Sequence, residues 1–158
     1  MVSIFQLGQE KPTAADRLDA AYADCEMIAR NASSSFFRSF RHLPPHKRKA
    51  VNSLYAFCRR VDDIVDGDWL PEQDLSHLNQ KAESRSMQLS IDKQSEPAND
   101  DINHINKLRS LLWFRINLDK IEQGEFVDES IFIALSDVIK KFPLELDHLR
   151  ELISGMED

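Results

Sequence analysis

The stretch PHKRKAVNSLYAFCRRVDDIVDG, residues 45–67, decides the fold. Proline fits a first helical turn, where its missing N–H leaves no bond unmade, and glycine suits the position just past a helix end. The spacing therefore predicts one uninterrupted helix from Pro45 to Asp66, stopped by Gly67. On a wheel of about 100° per residue, Val51, Leu54, Tyr55, Cys58 and Val65 share one apolar stripe. Asp62 falls inside that stripe, and Asp66 and Arg59 flank its edge. A carboxylate turned toward a core is costly unless it is paired or metal-bound, so its place there requires a reason.

Working outward, a helix should start near Thr13, with Pro12 before it and Asp16 as a capping-box-like acid, and end around Asn31. It should bury Leu18, Ala21, Tyr22, Cys25, Ile28 and Ala29. A serine-aromatic stretch, Ser33 to Phe37, leads to Leu43-Pro44-Pro45, where the prolines force a break. Past Gly67 the sequence turns polar from Asp68 to Asp101, suggesting a weak helix near Glu72 to Leu89 and a mobile segment near 90–101, around Pro97. Periodicity returns at Ile102, Ile105, Leu108, Leu111, Leu112, Arg115 and Ile116, up to Gly124. Further helices should run across Phe132, Leu135, Val138 and Ile139, broken by Pro143, and through Leu146, Leu149, Leu152 and Ile153. β-branched alternation is scarce, so the expected fold is all-α with about five to six helices: a flexible arm over 1–12, then one helical domain over 13–158.

The chain has 158 residues, 20 Lys+Arg against 27 Asp+Glu, a formal charge of −7 and 42% apolar residues. That describes one soluble domain able to build a core without staples. The acidic balance argues against a nucleic-acid partner, because such domains carry a basic excess that displaces counterions from phosphate. Cys25 and Cys58 form no CxxC and have no histidine at metal spacing, so neither a zinc site nor a disulfide framework is encoded. A reducing, cytoplasmic setting is expected. The opening residues MVSIFQLGQE lack the pattern of a signal peptide, and runs such as IFIAL and LLWF are too short to span a bilayer. Contact with a membrane periphery stays open.

Two carboxylates one helical turn apart, Asp62 and Asp66, can hold a hard cation such as Mg²⁺, which keeps waters and takes substrate phosphates as further ligands. The plainer alternative is that Arg59 pairs with Asp62 or Asp63 at a partly exposed helix end. Arg38 and Arg41 with His46-Lys47-Arg48-Lys49 form a basic segment, read either as a solvated face or as an attractor of an anionic ligand. On composition alone Phe36, Phe37, Phe40 and Phe57 are core. His42, His77, His104 and His148 have no partner at nucleophile or metal spacing, and no GxSxG, P-loop or HExxH occurs.

The run SSSFF (33–37), the block LPPHKRKAVNSLYAFCRRVDDIVD (43–66), and the segments LLWFRINLDKIEQGE (111–125), IFIALSDVIKKFPL (131–144) and LRELISGMED (149–158) resemble the squalene and phytoene synthase family, the trans-isoprenyl diphosphate head-to-head synthases. The resemblance implies an all-helical, barrel-like fold around a pocket, with two Asp-rich motifs whose Mg²⁺ ions, or Mn²⁺ in their place, grip a prenyl diphosphate, farnesyl or geranylgeranyl. Asp62 and Asp66 match the first motif. By the same resemblance Asp63 supports the metal site, Arg59 contacts diphosphate and Tyr55 lies near the reacting centre. Ser33 and Ser35 fall near diphosphate, and Phe36 and Phe40 wall the prenyl tail. The apolar stripe would then face a cavity rather than a sealed core.

Two departures stand out: Ser34 occupies a position where many members carry Lys or Arg, and no second Asp-rich motif occurs in this sequence. The resemblance thus implies an amino-terminal half of a synthase, expected to be inactive alone. An exposed apolar face would be covered by a carboxy-terminal half or by self-association. The implied reaction ionises one allylic diphosphate and condenses it with a second, giving phytoene, dehydrosqualene, squalene or presqualene diphosphate, with NADPH only in the reductive squalene branch. The alternatives are a non-catalytic binding module that holds a prenyl diphosphate or a protein partner, and a generic helical interaction domain of accidental similarity.

Overall fold

The computed structural model describes residues 10–32, 34–69 and 99–157. They form six helices: α1 (Ala14–Ala32), α2 (Ser34–Phe40), α3 (Pro45–Asp66), α4 (Asn99–Glu122), α5 (Ser130–Lys141) and α6 (Leu146–Glu157). No strand occurs among the described residues, and the chain is all-α as the sequence implied. The weak helix expected near Glu72 to Leu89, the loop around Pro97 and most of the 1–12 arm lie outside the described residues, while Asn99 to Asp101 form the first turn of α4.

Local chemistry sets the helix ends. Thr13 and Asp16 make a reciprocal box at the start of α1: Thr13 N donates to Asp16 Oδ2 at 2.9 Å, and Asp16 N donates to Thr13 Oγ1 at 3.2 Å. Pro45 opens α3, and Gly67 closes it in the left-handed region at φ +80°. There Gly67 N donates to Ile64 O at 3.2 Å and Asp68 N to Asp63 O at 2.8 Å, satisfying two terminal carbonyls. A β-carbon at Gly67 would meet open space, so the positive φ alone favours glycine. Glu129 caps α5 through Ile131 N and Phe132 N; burial nevertheless keeps its carboxyl above the ordinary range. From Ser34 onward the serine-aromatic stretch is the short helix α2.

α1, α3 and α5 pack against one another, and α4 and α6 complete the bundle. At its centre the rings of Phe57, Phe114 and Phe132 are fully buried and meet edge to face at 5.3 to 6.3 Å, with Trp113 and Trp69 extending the cluster. Phe57 is core, as composition implied; Phe36 is not, being 59% exposed. On α4 only Leu111 of the expected face is buried: Leu112, Arg115 and Ile116 are half-buried, Ile102, Ile105 and Leu108 are exposed, and the buried face runs instead through Trp113, Phe114, Leu118 and Ile121. Arg150 ties α6 to α4 by reaching Asp119 at 2.8 Å and Glu122 at 2.5 Å, and also holds Asp147 at 2.7 Å.

Polar ties join the first helix to the fifth, among them Ser130 Oγ donating to Asp24 Oδ2. Tyr22 Oη donates to Asp137 Oδ2 at 2.6 Å, and Lys141 Nζ pairs with the same oxygen at 2.7 Å. Desolvation pushes the Asp137 carboxyl up, but the hydrogen bonds from Lys141 and Tyr22 and the nearby lysine charges outweigh it, so it lies below the ordinary range. Tyr22→Phe should therefore cost about 1–2 kcal/mol near neutrality. A depressed carboxylate stabilises above its unfolded pKa of about 4 and loses that contribution as pH falls through the lower folded value. Denaturant titrations of the two proteins should thus converge in acid; a gap that persists there would place the loss in packing instead.

Candidate functional site

α3 has two faces of different character. The buried face carries Ala50, Ser53, Ala56, Phe57, Val61 and Ile64. The stripe read from the wheel lies on the opposite side: Val51, Leu54, Tyr55, Cys58 and Asp62 are half-buried, and Val65 and Asp66 are exposed. The helix therefore buries Asp63 rather than Asp62; it packs small residues where α1 and α5 approach and leaves the Asp62 stripe on its other side. The sequence led us to expect this stripe to face a cavity; in the structure Leu54 and Cys58 pack partly against the core, while Val65 and Asp66 are exposed.

The three carboxylates at the end of α3 are not equivalent. Asp63 is 8% exposed and held on both oxygens, by Arg59 Nε at 2.9 Å and by an Arg60 terminal nitrogen at 3.3 Å. Arg60 in turn stacks over Trp69 at 5.5 Å. The plain i, i+4 pairing of Arg59 is thus realised with Asp63 and sets Asp63 apart from the other two acids. Asp62 and Asp66 have no hydrogen bond or ion pair with a cation among the described residues. They are a like-charged i, i+4 pair at a helix C-terminus, where the macrodipole already disfavours anions and no basic residue occupies the last turn. The Asp62 charge is felt one turn away: burial first, then this carboxylate, raises the Cys58 thiol above its ordinary range.

Next to the stripe, α2 lays two rings against Tyr55, with Phe36 at 5.9 Å and Phe40 at 6.4 Å, the phenylalanines being 6.3 Å from each other. Tyr55, Phe36 and Phe40 thus form one aromatic wall beside the face that carries Asp62 and Asp66. Ser35 sits in α2 with its side chain exposed, its carbonyl accepting from Ser39 Oγ at 3.1 Å; Ser33 lies outside the described residues. Sequence reasoning passed over Arg60, whose i, i+3 spacing to Asp63 was available as a signal, and Trp69, which had none.

Among the described residues no group of three or more His, Cys, Asp or Glu side chains converges as a metal site. The pair Asp62 and Asp66 offers hard oxygen donors with no competing cation, which suits a partly hydrated Mg²⁺ that completes its shell with phosphate oxygens. Concavities of about 210 and 420 Å³ on the described surface lie away from Asp62 and Asp66.

The sequence over residues 29–158 matches the family model of squalene/phytoene synthase. The chain is 28% identical over 138 residues to a phytoene synthase of Mycobacterium tuberculosis, covering 87% of this chain and 34% of that protein. It is 25% identical over 139 residues to chloroplastic phytoene synthase 3 of Zea mays, covering 88% of this chain and 25% of the relative. A 15-cis-phytoene synthase of Synechococcus elongatus is 24% identical over 138 residues, 87% of this chain and 34% of its own. The chain spans between a quarter and a third of the length of these relatives. With its helical bundle, its outward carboxylate pair and a family match that runs through both, this chain belongs to the squalene/phytoene synthase family.

Proposed function

We propose that this chain forms the first carboxylate wall of a phytoene-synthase-type prenyltransferase, which joins two prenyl diphosphates head to head in carotenoid or isoprenoid biosynthesis. One observation carries the reading: Asp62 and Asp66 repel each other at the negative end of α3 with no cation to offset them. Such an arrangement destabilises the free chain and becomes favourable when a cation and an anionic substrate arrive together. Asp62 and Asp66 would hold Mg²⁺, or Mn²⁺ in its place; bound there, the ion neutralises diphosphate as a leaving group. Arg59, its Nε anchored on Asp63, keeps its terminal nitrogens for diphosphate oxygens. Tyr55, Phe36 and Phe40 line the apolar tail and keep water from the reacting carbon. Closure of the open face would come from a second copy or a complementary carboxy-terminal part.

Calorimetric titration with farnesyl and geranylgeranyl diphosphate, in Mg²⁺ and in EDTA, tests the reading alongside extraction of lipid products. Binding should require Mg²⁺ and weaken at least about 10-fold in EDTA. Product formation would establish the transferase. Mg²⁺-dependent binding without product would favour the binding module, and no binding of either diphosphate would remove the proposal.

A further inference from the structure

Two arginines share one carboxylate near the end of α3, and they divide it unevenly. Asp63 Oδ1 takes Arg59 Nε at 2.9 Å, and Oδ2 takes Arg60 Nη1 at 3.3 Å. A guanidinium facing a carboxylate commonly closes on it as a fork, with two parallel N–H bonds to the two oxygens. Arg59 does not: its contact is through Nε, and its terminal nitrogens have no partner among the described residues. The second oxygen, which a fork needs, is filled by Arg60. Arg60 is itself fixed from the core side. Its guanidinium lies 5.5 Å over the Trp69 ring, and Trp69 meets the buried rings of Trp113 at 6.2 Å and Phe114 at 5.8 Å. The left-handed turn at Gly67, with Asp68 N donating to Asp63 O at 2.8 Å, brings Trp69 back against the helix that the chain has just left. Asp63 is buried, whereas the Arg59 side chain is 41% exposed. Arg59 precedes Asp62 and Asp66 by about one and two helical turns, so its free end stands on their side of α3.

We propose that Arg60 is a positioning residue: by occupying Asp63 Oδ2 it keeps Arg59 from folding onto that carboxylate as a fork, and so leaves both Arg59 terminal nitrogens for an anion held beside Asp62 and Asp66. The inference rests on the proposed function in taking that anion to be a diphosphate, while the restraint on Arg59 belongs to the free chain. Without Arg60, the buried Asp63 keeps one cation for two oxygens. An unsatisfied buried oxygen is costly, and the nearest donor able to fill it is a terminal nitrogen of Arg59 itself. A pair closed in that way withdraws one donor from the ligand and turns the guanidinium plane toward Asp63. Arg60 touches no ligand in this arrangement; it acts through Asp63 and Arg59, and Trp69 holds it in place to do so.

Arg60→Met removes the donor and keeps a stem against Trp69, whereas Arg60→Lys retains a cation for Oδ2. The first readout needs no ligand: heteronuclear NMR of the arginine side chains, with Arg59 assigned by Arg59→Lys. In the parent, rotation about the Arg59 Nε–Cζ bond should average the terminal nitrogens; it should slow in Arg60→Met and stay fast in Arg60→Lys. The second is calorimetric titration with farnesyl diphosphate in Mg²⁺. Arg60→Met should weaken binding about 10-fold, the usual worth of one charge-assisted hydrogen bond, and in an Arg59→Ala background it should change affinity no further. Arg60→Lys should bind much as the parent does. If Arg60→Met loses its helical circular dichroism, Trp69→Leu loosens the same clamp with every charge intact and should move both readouts in the same direction. Unchanged Arg59 rotation in the folded variants, or a loss of affinity that persists in the Arg59→Ala background, would overturn the inference. Slowed rotation without any Arg59-dependent binding of farnesyl diphosphate would bear out the restraint and remove the diphosphate reading instead.

Discussion

Asp62→Asn is expected to abolish Mg²⁺-dependent binding of farnesyl diphosphate while making the folded chain slightly more stable. The two effects have separate causes. The amide removes one of only two oxygen-anion donors on the stripe, and loss of a direct ligand should exceed the 10- to 100-fold typical of outer-shell changes, so at least about 100-fold is anticipated. It also removes a repulsion with Asp66 and an anion from the negative end of α3, each worth a few tenths of a kcal/mol, so stability should rise by about 0.5 kcal/mol and Tm by about 1–2 °C. Asp66→Asn should behave alike. Asp63→Asn should do the opposite to stability, losing about 1–3 kcal/mol, because that carboxylate is buried and held by Arg59 and Arg60. Parallel titration calorimetry and thermal melts separate the three. If Asp62→Asn lowered Tm by several degrees, Asp62 would be a structural acid and the functional reading of the pair would fall.

The largest stability loss should come from Phe114→Ala. Phe114 is fully buried and touches four rings, Phe57 and Trp113 at 5.3 Å, Phe132 at 5.4 Å and Trp69 at 5.8 Å. Truncation removes the transfer energy of the ring and leaves a cavity whose aromatic walls cannot collapse inward, so about 3–5 kcal/mol is anticipated. Against a domain stability of about 5–15 kcal/mol, this change could consume most of the margin and leave a population with native helix content and loosened packing. Urea unfolding followed by tryptophan fluorescence reads it directly, since Trp113 and Trp69 border the cavity. A loss below about 1 kcal/mol would mean that the cluster is not the keystone of the bundle.

The limits of α3 were legible because proline and glycine act through the backbone alone, and both do so here at Pro45 and Gly67. Which side of α3 is buried was not. A hydrophobic wheel ranks Val, Leu, Tyr and Cys above Ala and Ser, and so it points at Val51 and Tyr55; close helix packing prefers Ala50, Ser53 and Ala56, which let α1 and α5 approach. α4 misled for a related reason, since Ile102, Ile105 and Leu108 keep the period of a buried face but are exposed. At the candidate site, the i, i+4 geometry of Asp62 with Asp66, and of Arg59 with Asp63, could be read from spacing. The grouping of Phe36 and Phe40 with Tyr55 came only by resemblance, because composition alone assigns such rings to a core and the contact joins two helices across a proline break.

A helix bounded on both sides by such different demands has little room to drift. Along α3, substitutions on the Ala50, Ala56 and Val61 side should reduce the amount of folded protein, whereas those on the Tyr55, Asp62 and Asp66 side should spare abundance and erase ligand response. A saturation library scored separately for abundance and for ligand binding would then show two tolerance profiles with the same helical period and opposite phase, so that almost every position of this one helix is constrained, but by different selections.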